Sequence, residues 1–191
     1  GADGIVPSVI RPEGFQVWNS DILATDVDVD WANPAEPERP IAITGAAQGV
    51  YSGKVGIGCT APIRGLTASV TDLRGPSGAI PASSVMVRYA MPWSDVVMTG
   101  QDCNELLPYP AEPTPLYALY ETPPTEIPVY DKPATSRCPK LPGEAQPVPG
   151  AVTAVWVTVK IPPDARPGLY SGSLRISAEN WQGAEVPVRV E

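Results

Sequence analysis

Proline interrupts this sequence so often that a long helix is excluded from most of it. The 191 residues include 25 prolines and 17 glycines, about twice the usual combined share of roughly 12 %. Between these residues lie short runs in which apolar and polar side chains alternate, a pattern typical of strands with one buried face. Because 43 % of the residues are hydrophobic and 18 % are charged, the chain has enough apolar material for a core. The sequence therefore predicts a folded, all-β chain.

The alternation is clearest in three C-terminal runs, residues 155–161, 169–178 and 186–190, which we expect to form an antiparallel meander. Five further runs repeat the pattern in the first half, over residues 23–30, 39–44, 48–59, 66–73 and 84–91. About eight short strands with no helical segment between them favour two packed antiparallel sheets over a parallel α/β fold. We predict one domain over residues 1–191, an antiparallel two-sheet β-sandwich of the immunoglobulin-like or jelly-roll-like kind.

A Pro-rich insertion divides these two groups of strands. Residues 108–149 contain 12 prolines, too many for interior strands, so we expect a surface loop. Its Tyr117 and Tyr120 indicate that the loop packs against its own sandwich or against a neighbouring domain. Trp156 lies opposite the valine face of its strand and must be covered by this loop, by another domain or by a ligand. These three aromatic residues are the candidate domain-docking residues.

Composition excludes several classes of function. The chain has no histidine, which removes Ser-His-Asp and Cys-His nucleophiles and His-ligated zinc. A formal net charge of −8 disfavours nucleic acid and anionic membrane surfaces as partners, and no apolar run is long enough for membrane insertion as a helix. The run from Gly56 to Ala61 matches the letters of a dinucleotide-binding motif, but Pro62 follows where a helix must open. We therefore expect no cofactor.

The run Asp26-Val27-Asp28-Val29-Asp30 is the one acidic cluster that suggests a metal. On a strand, its three carboxylates would share one face at intervals of roughly 6–7 Å. The residues that follow do not match a calcium-binding EF-hand loop. We expect a solvated strand face, and a looser Ca²⁺ site at Asp26, Asp28 or Asp30 is the alternative.

Three tryptophans beside turn residues are candidate carbohydrate-binding residues. Trp31, Trp93 and Trp181 could present flat rings for sugar stacking. Rings near turns also cap the ends of a sandwich core, and both interpretations stay open. No pair of carboxylates is placed by the sequence as an acid and a nucleophile, so no catalytic residue is assigned.

The cysteines are too few for a disulfide framework. Of the three, Cys59 lies in an apolar run that reads as a strand, whereas Cys103 and Cys138 bracket much of the Pro-rich insertion. A bridge between the latter two would staple that insertion. Sequence separation does not give the distance between their Cα atoms, so both the bridged and the reduced states stay open.

An ordered series of short motifs resembles a known domain. The series comprises ITGAAQGVY (43–51), LTASVTDLRG (66–75), IPASSV (80–85), LLP (106–108) and VWVTVKIPPDARPGLYSGSLRI (155–176). It resembles the N-terminal β-sandwich domain that precedes the catalytic barrel in glycoside hydrolase family 123, whose members are β-N-acetylgalactosaminidase-like, and in related barrel-containing proteins. The resemblance covers residues 40–191.

The resemblance implies an accessory, non-catalytic role, because the catalytic acids of that family belong to the downstream barrel. The expected partner is this barrel in the same polypeptide, with carbohydrate as a second candidate partner. We expect a bacterial protein that is extracellular, periplasmic or attached to the cell envelope. The chain starts without an initiator Met or a signal segment, and we expect it to be a mature or excised fragment.

Overall fold

The computed structural model describes residues 11–76, 78–92, 114–130 and 149–191. In these ranges it is all-β, with one short 3₁₀ turn at Ala82–Ser84. The strands are β1 (Phe15–Ser20), β2 (Ile41–Ile43), β3 (Val50–Cys59), β4 (Ile63–Arg64), β5 (Thr67–Val70), β6 (Leu73–Gly75), β7 (Gly78–Ile80), β8 (Val85–Met91), β9 (Ala118–Tyr120), β10 (Glu126–Ile127), β11 (Ala151–Lys160), β12 (Tyr170–Ala178) and β13 (Trp181–Val190).

Two sheets form a β-sandwich, which confirms the predicted fold class. The first sheet has five strands in the order β1-β3-β11-β8-β9, and all its neighbours are antiparallel. The second has the order β2-β13-β12-β6-β7, and β5 also pairs with β12. One pair departs from the antiparallel prediction, since β2 runs parallel to β13. A separate two-stranded sheet joins β10, within the Pro-rich insertion, to β4.

Alternation along the long strands builds the core between the two sheets. Val55 and Ile57 of β3 face inward beside Val155 of β11, and Leu174 and Val188 face them from the second sheet. Each is at most 2 % exposed. Burying an aliphatic side chain of this size contributes about 1.5–3 kcal/mol, so these strands carry much of the stabilisation.

The predicted C-terminal meander is wrong. β11 pairs with β3 and β8, whereas β12 and β13 form a hairpin in the other sheet. Between β11 and β12 the chain passes Pro162 and Pro163 and crosses from one sheet to the other. The alternation identifies which side chains are buried, but it does not specify which strands pair.

Candidate functional site

The outer face of the five-stranded sheet carries a second, smaller apolar cluster. Ala90, Val152 and Ala154 point away from the main core and are completely buried. Trp18 packs beside them, against a strip of β3 where Gly56 leaves room for the indole ring. A sheet face exposed to solvent would be mainly polar, so this face is built to be covered.

An outer ribbon, defined as residues 25–28 with residues 114–117, covers this face. Val27 and Pro115 form a β-bridge, and the Leu116 amide donates to the Asp26 carbonyl at 2.9 Å. The Leu116 side chain is 2 % exposed and joins the cluster of Trp18 and Trp156. The Pro-rich insertion therefore contributes a structural layer over its own sandwich.

A buried ion pair anchors the outer ribbon to the sheet. Lys54 Nζ donates to Asp26 Oδ2 at 2.7 Å and to the Ala24 carbonyl at 2.6 Å, and the two charged side chains are only 2 % and 7 % exposed. The Ser20 hydroxyl donates to Asp26 Oδ1 at 2.5 Å. Lys54 Nζ also lies 5.2 Å from the centre of the Trp156 ring, a favourable cation–π geometry.

The acidic run does not form the solvated strand face that we expected. Apart from the bridge at Val27, residues 21–30 form turns and irregular backbone, and Asp26 and Asp28 are both buried. Asp28 Oδ1 accepts from the Thr114 amide at 2.9 Å, and Asp30 Oδ2 accepts from the Val27 amide at 2.7 Å. Burial raises the pKa of Asp30. In the described ranges, no group of three acidic, cysteine or histidine side chains is arranged to hold a metal ion. This holds for Asp26, Asp28 and Asp30, the residues of the Ca²⁺ alternative.

The three candidate docking aromatics occupy different environments. Tyr117 is 56 % exposed and Tyr120 54 % exposed, and the Tyr117 hydroxyl lies 3.0 Å from that of Thr25. Trp156 is half-buried, because it packs in the cluster with Leu116 and Leu119 of the Pro-rich insertion. The two tyrosines are therefore accessible to a partner, whereas Trp156 supports the layer that carries them.

Two of the three candidate sugar-binding tryptophans are engaged within the chain. Trp181 stacks on Phe15 with 4.6 Å between ring centres and 5° between ring planes. Trp31 is half-buried, and the Arg11 guanidinium lies 5.6 Å from its ring centre. Trp93 lies outside the described residues. Trp31 and Trp181 therefore each pack against a side chain of the fold, Arg11 and Phe15 respectively.

The disulfide prediction stays a prediction, since Cys103 and Cys138 lie outside the described residues. Cys59 ends β3 as a free, buried thiol. This placement agrees with its position in an apolar run of the sequence.

An aromatic groove that the sequence did not single out lies beside β9. Its cavity volume is about 460 Å³, and its walls are Met91, Pro92, Tyr120, Thr122, Pro124 and Tyr130. Burial, together with the charge of Asp28, raises the pKa of Tyr130 to about 12, so this phenol stays neutral at physiological pH. The only sequence signal for this groove is the repetition of tyrosine and proline in the insertion, which does not specify which rings meet.

Comparisons with known proteins give similarity of structure only. No family model matches the sequence, and no curated protein matches it. A family 123 glycoside hydrolase from Clostridium perfringens, studied for glycolipid glycan hydrolysis, superposes with a TM-score of 0.60 at 12 % identity. The match covers 93 % of this chain and 27 % of the hydrolase chain. The adhesin CfaE of enterotoxigenic E. coli matches with a TM-score of 0.38 at 12 % identity, over 93 % of this chain and 48 % of that one.

The hydrolase similarity therefore shows a shared fold over about a quarter of that enzyme's length. Separately, the described part of the chain holds no helix that is both long and apolar enough to span a membrane.

Proposed function

We propose that this chain is a non-catalytic β-sandwich domain of a glycoside hydrolase-like protein, which packs against a catalytic barrel in the same polypeptide. The observation that carries the proposal is the structural match to a family 123 glycoside hydrolase over 93 % of this chain but only 27 % of the hydrolase. A domain-sized part of a larger enzyme is the simplest relation that gives these two fractions. The motif series over residues 40–191 points to the same relation.

The three aspartates of residues 26–30 agree with the non-catalytic part of the proposal. A glycosidase needs two carboxyl groups, one on each side of an accessible bond to be cleaved. In the run of three aspartates, Asp26 of the outer ribbon is held by Lys54 of β3, and Asp28 and Asp30 accept from main-chain amides. These carboxylates are engaged by an ion pair and by main-chain amides of the fold.

The proposed docking surface is the exposed side of the Pro-rich insertion. Tyr117 and Tyr120 present aromatic area to solvent. Tyr117 follows Leu116, whose amide bonds the Asp26 carbonyl, and Tyr120 lies on β9, which pairs with β8. Such rigid aromatic residues are typical anchors of protein interfaces. The barrel partner and a location in the cell envelope or outside the cell are parts of the same proposal.

The size of the native polypeptide tests this proposal most directly. An antibody raised against the 20.1 kDa chain should detect a polypeptide longer by about 250 residues, the usual size of a barrel. A native polypeptide of 20.1 kDa would refute the accessory role. The isolated chain should not hydrolyse aryl glycosides, and turnover that one Asp or Glu substitution abolishes would refute the non-catalytic assignment.

A stand-alone carbohydrate-binding module is the second candidate, and the aromatic groove favours it. Tyr120 is exposed at the rim of this groove beside Tyr130, and aromatic rings suit the apolar face of a sugar. This candidate predicts saturable binding to a glycan panel that Tyr120→Ala abolishes and that the control Tyr117→Ala leaves unchanged. Trp31 and Trp181 are less suited to this role because each already packs against a side chain of the fold.

A further inference from the structure

The two sheets leave an open slot at one edge of the sandwich, away from the aromatic groove. This edge slot lies between the start of β2, the middle of β3 and the turn that follows β1, and it has a volume of about 440 Å³. Ala42 and Ser52 line it on opposite sheets, and Arg39, Arg189 and Ile22 also contribute to its walls. The slot therefore combines main-chain and charged side-chain surface.

One wall of the edge slot is an unpaired stretch of β3. β1 pairs only with residues 54–59 of that strand, so no described strand lies beside Ser52 on this side. The Ile161 amide donates to the Gly49 carbonyl at 3.0 Å, so Gly49 directs its carbonyl towards the chain that continues from β11. By alternation, Tyr51 and Gly53 direct their N–H and C=O groups to β11, and Ser52 directs its own into the slot.

The other wall is the edge strand of the second sheet. β2 pairs with β13 on one side, and no described strand pairs with its other side. The Glu191 amide donates to the Ile43 carbonyl at 2.9 Å, so Ile43 is bonded towards β13. Its neighbour Ala42 consequently directs its N–H and C=O groups the opposite way, towards the slot. Both sheets thus offer unpaired main-chain groups to the same space.

The charged side chains around the edge slot indicate what it would take. Arg39, Lys54 and Arg189 line it against a single carboxylate, Asp21, in a chain with a net charge of −8. Asp26 neutralises Lys54, and Arg39 contacts Glu36, but Arg189 is exposed and makes no ion pair within the described residues. Among the cations that line the slot, Arg189 is therefore the one left without an ion pair in the described ranges, and Asp21 is the lining carboxylate.

A rigid apolar tip borders the same slot. The Asp21 carbonyl and carboxylate accept from the Ala24 and Leu23 amides at 2.9 Å and 2.8 Å, which locks the turn after β1. This turn holds Leu23 at 90 % exposure, next to Ile22 at 37 %. An exposed leucine on a fixed turn costs little entropy to bury against a partner.

We propose that the edge slot binds an extended, acidic segment of a partner polypeptide, which adds to β3 as a short strand beside Ser52. Strand addition satisfies the free main-chain groups of Ser52, and Ala42 supplies a second main-chain contact. Acidic side chains of the segment lie beside Arg189 and Arg39, and an apolar one packs on Ile22. Neither Tyr117 nor Tyr120 lines the slot, so the inference does not depend on the proposed barrel.

A tethered peptide tests this inference on the full chain. A strand of alternating valine and glutamate is fused to Glu191 through a flexible Gly-Ser linker, which raises its effective concentration to about the millimolar range. Hydrogen exchange of individual amides is then followed by NMR. We expect exchange at Ser52 and Ala42 to slow by about tenfold or more, as expected for amides that enter a ladder. A matched fusion with lysine in place of glutamate should slow neither amide.

Two variants separate strand addition from a non-specific contact. Ser52→Pro removes the β3 main-chain donor at an edge position where proline is tolerated, and should abolish the slowing at Ala42, whereas the control Ser52→Ala retains it. If Ser52→Pro does not fold, the exposed Arg189→Glu replaces it and should abolish the selectivity for the acidic strand.

Three results would overturn the proposal. The first is unchanged exchange in the acidic fusion, and the second is equal slowing by the lysine fusion. The third is slowing of the same amides by free polygalacturonate oligomers but not by the tethered strand, which would assign the slot to an acidic glycan instead.

Discussion

Replacing Lys54 by methionine should lower the free energy of unfolding by about 3–5 kcal/mol, the usual cost of leaving a buried charge without its partner. Methionine retains the apolar stem but removes the donor that bonds Asp26 at 2.7 Å and the Ala24 carbonyl at 2.6 Å. The Asp26 side chain is only 7 % exposed, so water does not replace the ammonium group without opening the outer ribbon. The magnitude follows from this desolvation and not from the Coulomb attraction alone.

Urea unfolding of the wild type and of three variants measures this cost. Lys54→Met combined with Asp26→Leu should recover most of the loss, because both charges are then absent. Lys160→Met, at the exposed end of β11, is the control and should stay within about 0.5 kcal/mol of the wild type. Exchange of the Leu116 amide, which bonds the Asp26 carbonyl, should accelerate in Lys54→Met. A loss of less than about 1 kcal/mol in Lys54→Met would show that the Lys54–Asp26 pair is solvated, and would refute the prediction of a buried, desolvated ion pair.

Three further predictions concern single side chains. Because burial raises the pKa of Asp30, its charged form weakens the fold as the pH rises through that pKa, so Asp30→Asn should raise the unfolding free energy at pH 7 and not at pH 3. Gly56→Ala should lower the free energy of unfolding by about 1–3 kcal/mol, because the added Cβ overlaps the Trp18 indole. The control Gly58→Ala, whose Cβ would lie 3.0 Å from that ring, should lower it less in the same urea experiment. An ultraviolet titration should show Tyr130 ionising near pH 12. The stability that its neutral form contributes is complete below pH 10 and should be lost as the pH rises to about 12. A titration in which no tyrosine ionises near pH 12 would contradict the burial of Tyr130.

The long strands were predictable because each has one face in the core. The predicted run 48–59 became β3 (Val50–Cys59), and the run 169–178 became β12 (Tyr170–Ala178). Alternation fails for residues 23–30, where Asp26 is buried by an ion pair with a residue 28 positions away. A sequence pattern does not reveal a partner so distant, so buried aspartates look the same as solvated ones.

The candidate sites were less predictable than the fold, and the reason is again long-range contact. Trp181 stands beside a turn, as the sequence indicated, but it is stacked on Phe15 at the other end of the chain. The edge slot arises where β1 stops pairing with β3 at Lys54, and no local motif marks that position. Composition showed which residue types the chain lacks. Contacts between residues far apart in the sequence determine which of its side chains stay accessible.

The outer ribbon limits which side chains on this outer face a partner can contact. A two-sheet sandwich has two outer faces, and here the chain covers much of the face around Trp156 with its own residues 114–117. A partner that approaches this side therefore meets Tyr117 rather than Trp156, because Leu116 already fills the space above the sheet. Truncating Leu116 should therefore lower the free energy of unfolding more than it lowers the affinity for a partner. Truncating Tyr117 should lower the affinity for a partner more than it lowers the free energy of unfolding. The two effects are separable, since Leu116 is 2 % exposed and Tyr117 is 56 % exposed on adjacent positions of the same ribbon.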